Sequence, residues 1–164
     1  MAMKKRIFIL ICFFLIGSVL IYLVMLKGSR KNVDGLVAQL EDAINKHSIE
    51  GIVELFPDYN KSIFESQLSQ SKLDDFYNNV IANSNKIQIE VVGVSDFDLS
   101  EAKEIQDRIN QNYEVNIEIQ DYQLIVIKYH QDFAESTLEV IKIDGEYYLY
   151  IDYYVPTPIQ YFIE

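Results

Sequence analysis

The side chains able to do acid–base, nucleophilic or metal chemistry are few and scattered. His47 and His130 are the only histidines of the 164 residues, and Cys12 is the only cysteine. No His/Cys set therefore has the spacing of a zinc site, and the chain cannot form an internal disulfide. The acidic pairs Asp74-Asp75 and Asp96-x-Asp98 lack the glycine and closing glutamate of a calcium loop, and read as solvated charge. There is no GxSxG, GxxxxGK(S/T) or GxGxxG, which removes the nucleophile elbow and the loops that cradle phosphates. No metal, cofactor or catalytic set is expected, and His47 is expected to cap or pack a helix end. What the sequence does concentrate is tyrosine: KIDGEYYLYIDYY, Lys142 to Tyr154, carries five in thirteen residues. Tyrosine offers large contact area and a polar handle at small entropic cost, which is the chemistry of recognition.

The Asp144-Gly145 pair decides which way those rings point. Both residues suit the positive φ of a two-residue type I′ turn, so the register of a hairpin follows from it. Ile143 then opposes Glu146, Ile141 opposes Tyr148, Glu139 opposes Tyr150 and Thr137 opposes Asp152, all on one face, because opposed residues share a side. The other face carries Leu138, Val140, Lys142, Tyr147, Leu149, Ile151 and Tyr153; it is the more uniformly apolar and is expected to pack on helices. The candidate protein-binding residues are accordingly Glu139, Ile141, Ile143, Glu146, Tyr148, Tyr150 and Asp152, an aromatic and aliphatic centre rimmed by carboxylates. Cover by a helix and a homodimer contact are the alternative roles of that face.

The elements that must carry this hairpin are legible in the hydrophobic period. In DGLVAQLEDAINKHS, Leu36, Leu40, Ala43, Ile44 and His47 form one helical stripe. Ser48 can cap a short helix in SIEGIVELF that Pro57 stops. FESQLSQSKLDDFYNNVIAN is expected to form a third helix, with Phe64, Leu68, Phe76 and Val80 spaced by multiples of four. The period then changes to two in KIQIEVVGV, a strand. SEAKEIQDRINQNY is expected to be a largely solvated surface helix starting at Ser100, with Ala102, Ile105 and Ile109 on one face and Glu104 paired with Arg108. VNIEI and YQLIVIKYH read as one bent strand or two short ones broken at Gln120-Asp121.

Ahead of all this stands IFILICFFLIGSVLIYLVML, Ile7 to Leu26, twenty residues without a charge. At about 1.5 Å per residue that spans the hydrocarbon layer of a bilayer. It is longer than the apolar region of a cleaved signal peptide, and Leu26 runs straight into KGSRK with no small-x-small site. A single-pass signal anchor is expected. Three basic residues precede the run and three follow it; the short basic tail with its free amino group favours an N-terminus in the cytoplasm and a C-terminal domain outside the plasma membrane. The organisation read from the sequence is a basic tail at 1–6, a transmembrane anchor at 7–26, a juxtamembrane linker at 27–33, an extracytoplasmic domain at 34–155 and a C-terminal tail at 156–164.

Charge divides along the same boundary. No acid occurs before Asn32, and from there on 25 acids face 8 bases, a balance of −17. Such a domain repels phosphate backbones and attracts basic surfaces, so the expected partner is a basic protein or peptide rather than nucleic acid.

The order of elements and the ending TLEVIKIDGEYYLYI resemble the nuclear-transport-factor-2-like, or cystatin-like cone, domains of small membrane-anchored proteins of Gram-positive bacteria. The likeness covers about residues 34 to 154 and rests on the helix pair EDAINKHSIEGIVELFP, the inserted helix SEAKEIQDRINQNY and the aspartate-glycine hairpin with its aromatic strand. The resemblance implies an α+β fold of one domain, with helices packed on a strongly curved antiparallel sheet and a pocket at its wide end. It also allows an isomerase-like pocket with Tyr122 or Tyr129 as hydrogen-bond donor and Asp121 or Asp132 as base. The expected function is a non-catalytic, membrane-anchored binding module, either an immunity-type protein that neutralises a secreted toxin or a structural subunit of an envelope or conjugation (type IV secretion) machine.

Overall fold

The computed structural model describes residues 29–80, 86–129 and 135–151. The expected anchor at 7–26, Asp132, Asp152, Tyr153 and the tail at 156–164 lie outside them. Among the described residues no helix is long and apolar enough to cross a membrane.

The domain opens with helix α1 (Val33–Asn45), whose Asn32 cap accepts a hydrogen bond from the Gly35 amide. Leu36, Leu40, Ala43 and Ile44 are its buried stripe, as the helical period requires. Ser48 caps the short α2 (Ile49–Val53) by accepting from Gly51 N–H at 2.9 Å. Where a single third helix was expected there are two, α3 (Lys61–Gln67) and α4 (Gln70–Val80), because Leu68 leaves the helical region with φ −74° and ψ 132°. The five-residue step from Leu68 to Leu73 would swing a continuous helix about 140° off its stripe. The break at Leu68-Ser69 restores the phase, so that Phe64, Leu68, Leu73 and Val80 all enter one core.

Four antiparallel strands follow in the order β1 (Ile89–Asp96), β2 (Ile119–Tyr129), β3 (Glu135–Ile143) and β4 (Glu146–Tyr150). The segment at 115–118 is not strand; β2 begins at Ile119 and bulges between Ile119 and Asp121, at the expected break. In the terminal hairpin Glu139 pairs with Tyr150, Ile141 with Tyr148 and Ile143 with Glu146. Asp144 and Gly145 turn the chain with φ of 50° and 81°.

Helix α5 (Leu99–Tyr113) lies between β1 and β2 in sequence and is capped by Asp98 rather than started by Ser100; Asp98 and Glu101 form a reciprocal capping box. The sheet is thereby covered on both faces. Leu138, Val140, Tyr147, Leu149 and Ile151 join α1–α4 in the larger core. Ile141, Ile143, Tyr150 and Tyr122 join Ala102, Ile105 and Ile109 of α5 in a second one.

Candidate functional site

The expected binding face is inside the domain. Glu139 is 2% exposed, Ile141 0%, Ile143 7% and Tyr150 8%, and the apolar stripe of α5 packs on Ile141, Ile143 and Tyr150. Side-chain bonds hold α5 there: Gln106 Oε1 accepts from Ile119 N–H at 2.9 Å, and Asn110 both accepts from and donates to the backbone of Ile117 at 2.8 and 3.1 Å. Arg108 donates to the Tyr150 hydroxyl at 3.1 Å. The expectation of an open binding face is therefore corrected for these residues: α5 covers them, which is the alternative role of that face read from the sequence.

The two remaining described members of that set, Glu146 and Tyr148, are engaged by a residue expected to belong to a free linker. Arg30 donates from one guanidinium nitrogen to Glu146 at 2.9 Å and from the other to the Glu54 carbonyl at 2.6 Å. Its guanidinium carbon stands 4.5 Å from the centre of the Tyr148 ring, a cation–π distance. Its own carbonyl accepts from Tyr147 N–H at 2.7 Å. Gly35 makes room for this clamp, since a Cβ there would lie 1.9 Å from the Ser29 carbonyl oxygen. Arg30 thus belongs to the folded domain, only four residues beyond the end of the apolar run at Leu26.

The pocket tyrosines do not meet Asp121, and Asp132 lies outside the described residues. Tyr122 stacks on Phe97 on the α5 side of the sheet, at 4.0 Å between ring centres, whereas Tyr129 lies in the larger core edge-on to Phe76. Asp121 accepts a short hydrogen bond from Tyr147, a larger-core residue. Asp121 and Tyr129 are eight residues apart along one strand, roughly 27 Å at ordinary strand rise. His47 takes the packing role expected of it, with Nδ1 2.8 Å from Asp74 Oδ1 and its ring 4.1 Å from that of Tyr77.

Two features not foreseen from the sequence remain open to a partner. The first is a cleft of about 270 Å³ between α3 and α5, walled by Tyr59, Asn60, Arg108, Asn112, Tyr113 and Tyr150. Tyr59 and Tyr113 meet at 4.9 Å. Tyr59 Oη and Asn60 Oδ1 are buried without a hydrogen-bond partner among the described residues. Burial pushes the Tyr59 hydroxyl well above its ordinary value, reinforced by Tyr150 and Tyr113, so it is a neutral donor, suited to recognition and not to taking a proton. The second is the edge of the sheet at β1. The opposite edge, β4, is closed: Tyr147 N–H donates to Arg30 and Leu149 N–H to the Leu55 carbonyl. On β1 Glu41 accepts from Ile89 N–H at 2.9 Å, but among the described residues no strand pairs with its outer side. Val92 and Val94 are 43% and 51% exposed. The alternation in KIQIEVVGV signalled this strand; its edge position was not encoded there.

Burial alone also pushes the fully enclosed Tyr129 hydroxyl above its ordinary value. A raised value means that the folded state holds the neutral phenol; this stabilisation is complete below about pH 10 and is lost as pH climbs through the raised values. Tyr59 and Tyr129 are expected to ionise only together with unfolding above about pH 10. Tyrosinate absorbance and circular dichroism followed side by side check this. Full ionisation of all twelve tyrosines in a chain that keeps its dichroism would contradict it.

No family model matches this chain, and no curated protein or solved structure does either. The reading of its function rests on its own residues and geometry.

Proposed function

We propose that this chain is a non-catalytic binding module anchored in the plasma membrane through residues 7–26, with its N-terminus in the cytoplasm and its acidic domain outside. In this reading the domain is a cone of the nuclear-transport-factor-2-like kind and captures a basic protein or peptide. The observation that carries the proposal is the Arg30 clamp. A residue four positions past an uncharged twenty-residue run is bonded to α2 at Glu54 and to β4 at Glu146 and Tyr147, so the folded domain begins within a few residues of the expected anchor. The balance of −17 beyond Asn32 supports a basic partner through steering. Of the two versions, an immunity-type protein that meets a secreted toxin at the cell surface is preferred, because a pre-formed cleft and a free sheet edge suit capture of an arriving chain. A structural subunit of an envelope or conjugation machine is the alternative, and a neighbouring toxin gene or transfer operon separates the two.

Placement is tested with reporters fused after Glu164. An enzyme active only outside the cytoplasm is expected to be active there, and a reporter active only in the cytoplasm to be silent. The reverse pattern would overturn the topology and, with it, capture at the cell surface.

A further inference from the structure

The edge of β1, unpaired among the described residues, is the feature whose chemistry reaches furthest. An edge strand presents a row of backbone N–H and C=O groups ready to pair with another extended chain. Here the two edges are treated differently. β4 is closed by the carbonyls of Arg30 and Leu55, whereas β1 offers eight residues with no proline or lysine among them. Its one irregularity is the bulge between Val91 and Gly93.

We propose that β1 is a docking edge for an extended, basic segment of a partner protein, which adds to the sheet as a fifth strand. This rests on the binding-module reading and names the surface and the partner chemistry. Charge selects the occupant. Glu90 and Asp96 lie near the two ends of β1 and are exposed, with exposed Asp98 just beyond. A second copy paired through the same edge would join two domains that each carry a balance of −17, which repels it at long range. A segment bearing lysine or arginine meets these carboxylates favourably and is drawn in by the −17 balance of the domain.

The side-chain pattern follows from the pleat. Val91 pairs with Ile127 and Val94 with Ile125, on the side of the larger core, so an added strand places apolar residues beside them. Glu90 pairs with Lys128 and Ser95 with Leu124 on the other side, where alternate residues of the partner are polar or basic. The recognised segment is one that alternates apolar and basic residues, its backbone bonds giving affinity and its charges giving selection.

The test uses the full-length chain in phosphocholine micelles, a lysine–valine alternating heptapeptide as probe, and amide hydrogen exchange as readout. With the peptide at about four times its dissociation constant, exchange within 90–96 is expected to slow about fivefold, the factor by which a bound partner reduces opening. A glutamate–valine heptapeptide is expected to leave it unchanged. Val94→Pro should abolish the protection by removing an amide and obstructing the edge. Glu90→Gln with Asp96→Asn, which leaves the backbone intact, should weaken binding of the lysine peptide severalfold and flatten its salt dependence. Protection that is absent, equal for both peptides, or found in the α3–α5 cleft instead would overturn the proposal. An edge without protection, in a chain whose reporters still place the domain outside, sinks the docking edge and leaves the anchored module standing.

Discussion

Ile141→Ala is expected to cost the folded chain about 3 kcal/mol, the ordinary penalty for emptying a fully buried aliphatic site. The size of this effect separates two pictures of the same strand. Were the face of Ile141 open to solvent, the change would fall within about 0.5 kcal/mol. Ile141 is instead 0% exposed beneath Ala102, Ile105 and Ile109, and alanine would leave a void that α5, held at Gln106, Asn110 and Arg108, cannot collapse into. Val94→Ala, on the exposed edge strand, is the control and is expected to be close to neutral. Urea unfolding of the full-length chain in phosphocholine micelles, followed by circular dichroism, measures both. A loss at Ile141 no greater than at Val94 would mean that α5 does not cover this face in solution.

Gly35→Ala is expected to destabilise by about 2 kcal/mol, against the sign that helix propensity predicts. In a helix interior the exchange gains about 1 kcal/mol. At Gly35 the new methyl would stand 1.9 Å from the backbone oxygen of Ser29, and a backbone atom cannot rotate away as a side-chain tip can. The segment carrying Ser29 and Arg30 must lift, which breaks the bonds from Arg30 to Glu54, to Glu146 and from Tyr147. Charge-assisted bonds of this kind contribute roughly 1.5–3 kcal/mol each when well shielded. The Glu146 side chain is 41% exposed, so its share is screened and the Glu54 carbonyl and Tyr148 ring carry more. Arg30→Ala is expected to cost a similar amount. Because both changes undo one contact, the double variant should lose little more than either alone. A stabilised Gly35→Ala chain, or simple additivity, would show that the clamp does not hold. The same reasoning includes Arg30 in the folded domain, ahead of the start at residue 34 expected from the sequence.

The anchor-like run, the partition of charge and the hairpin register could all be read along the chain, since each depends on residues close in sequence. Twenty uncharged residues need no partner to be apolar. Asp144-Gly145 fixes its own dihedrals, and through them the pairing of Glu139 with Tyr150. The apolar stripes of α1 and α5 and the cap at Ser48 are likewise local devices. Even the composition of the two hairpin faces follows from a period of two.

What local pattern could not supply was which stripe meets which. Ala102, Ile105 and Ile109 match the face of Ile141 and Tyr150 across some forty residues of chain, and nothing in either segment names the other. The same holds for Arg30, whose partner Glu146 is 116 residues away. Edge position is a property of the whole sheet, so the openness of β1 and the closure of β4 exist only once all four strands are ordered. Sequence by itself determined most of the elements, the cap at Ser48, the hairpin register and the charge, because those energies are set within a few residues. The tertiary structure alone decided which face is buried and which edge is left for a partner, because burial is a sum over contacts between segments that meet only when the chain is folded.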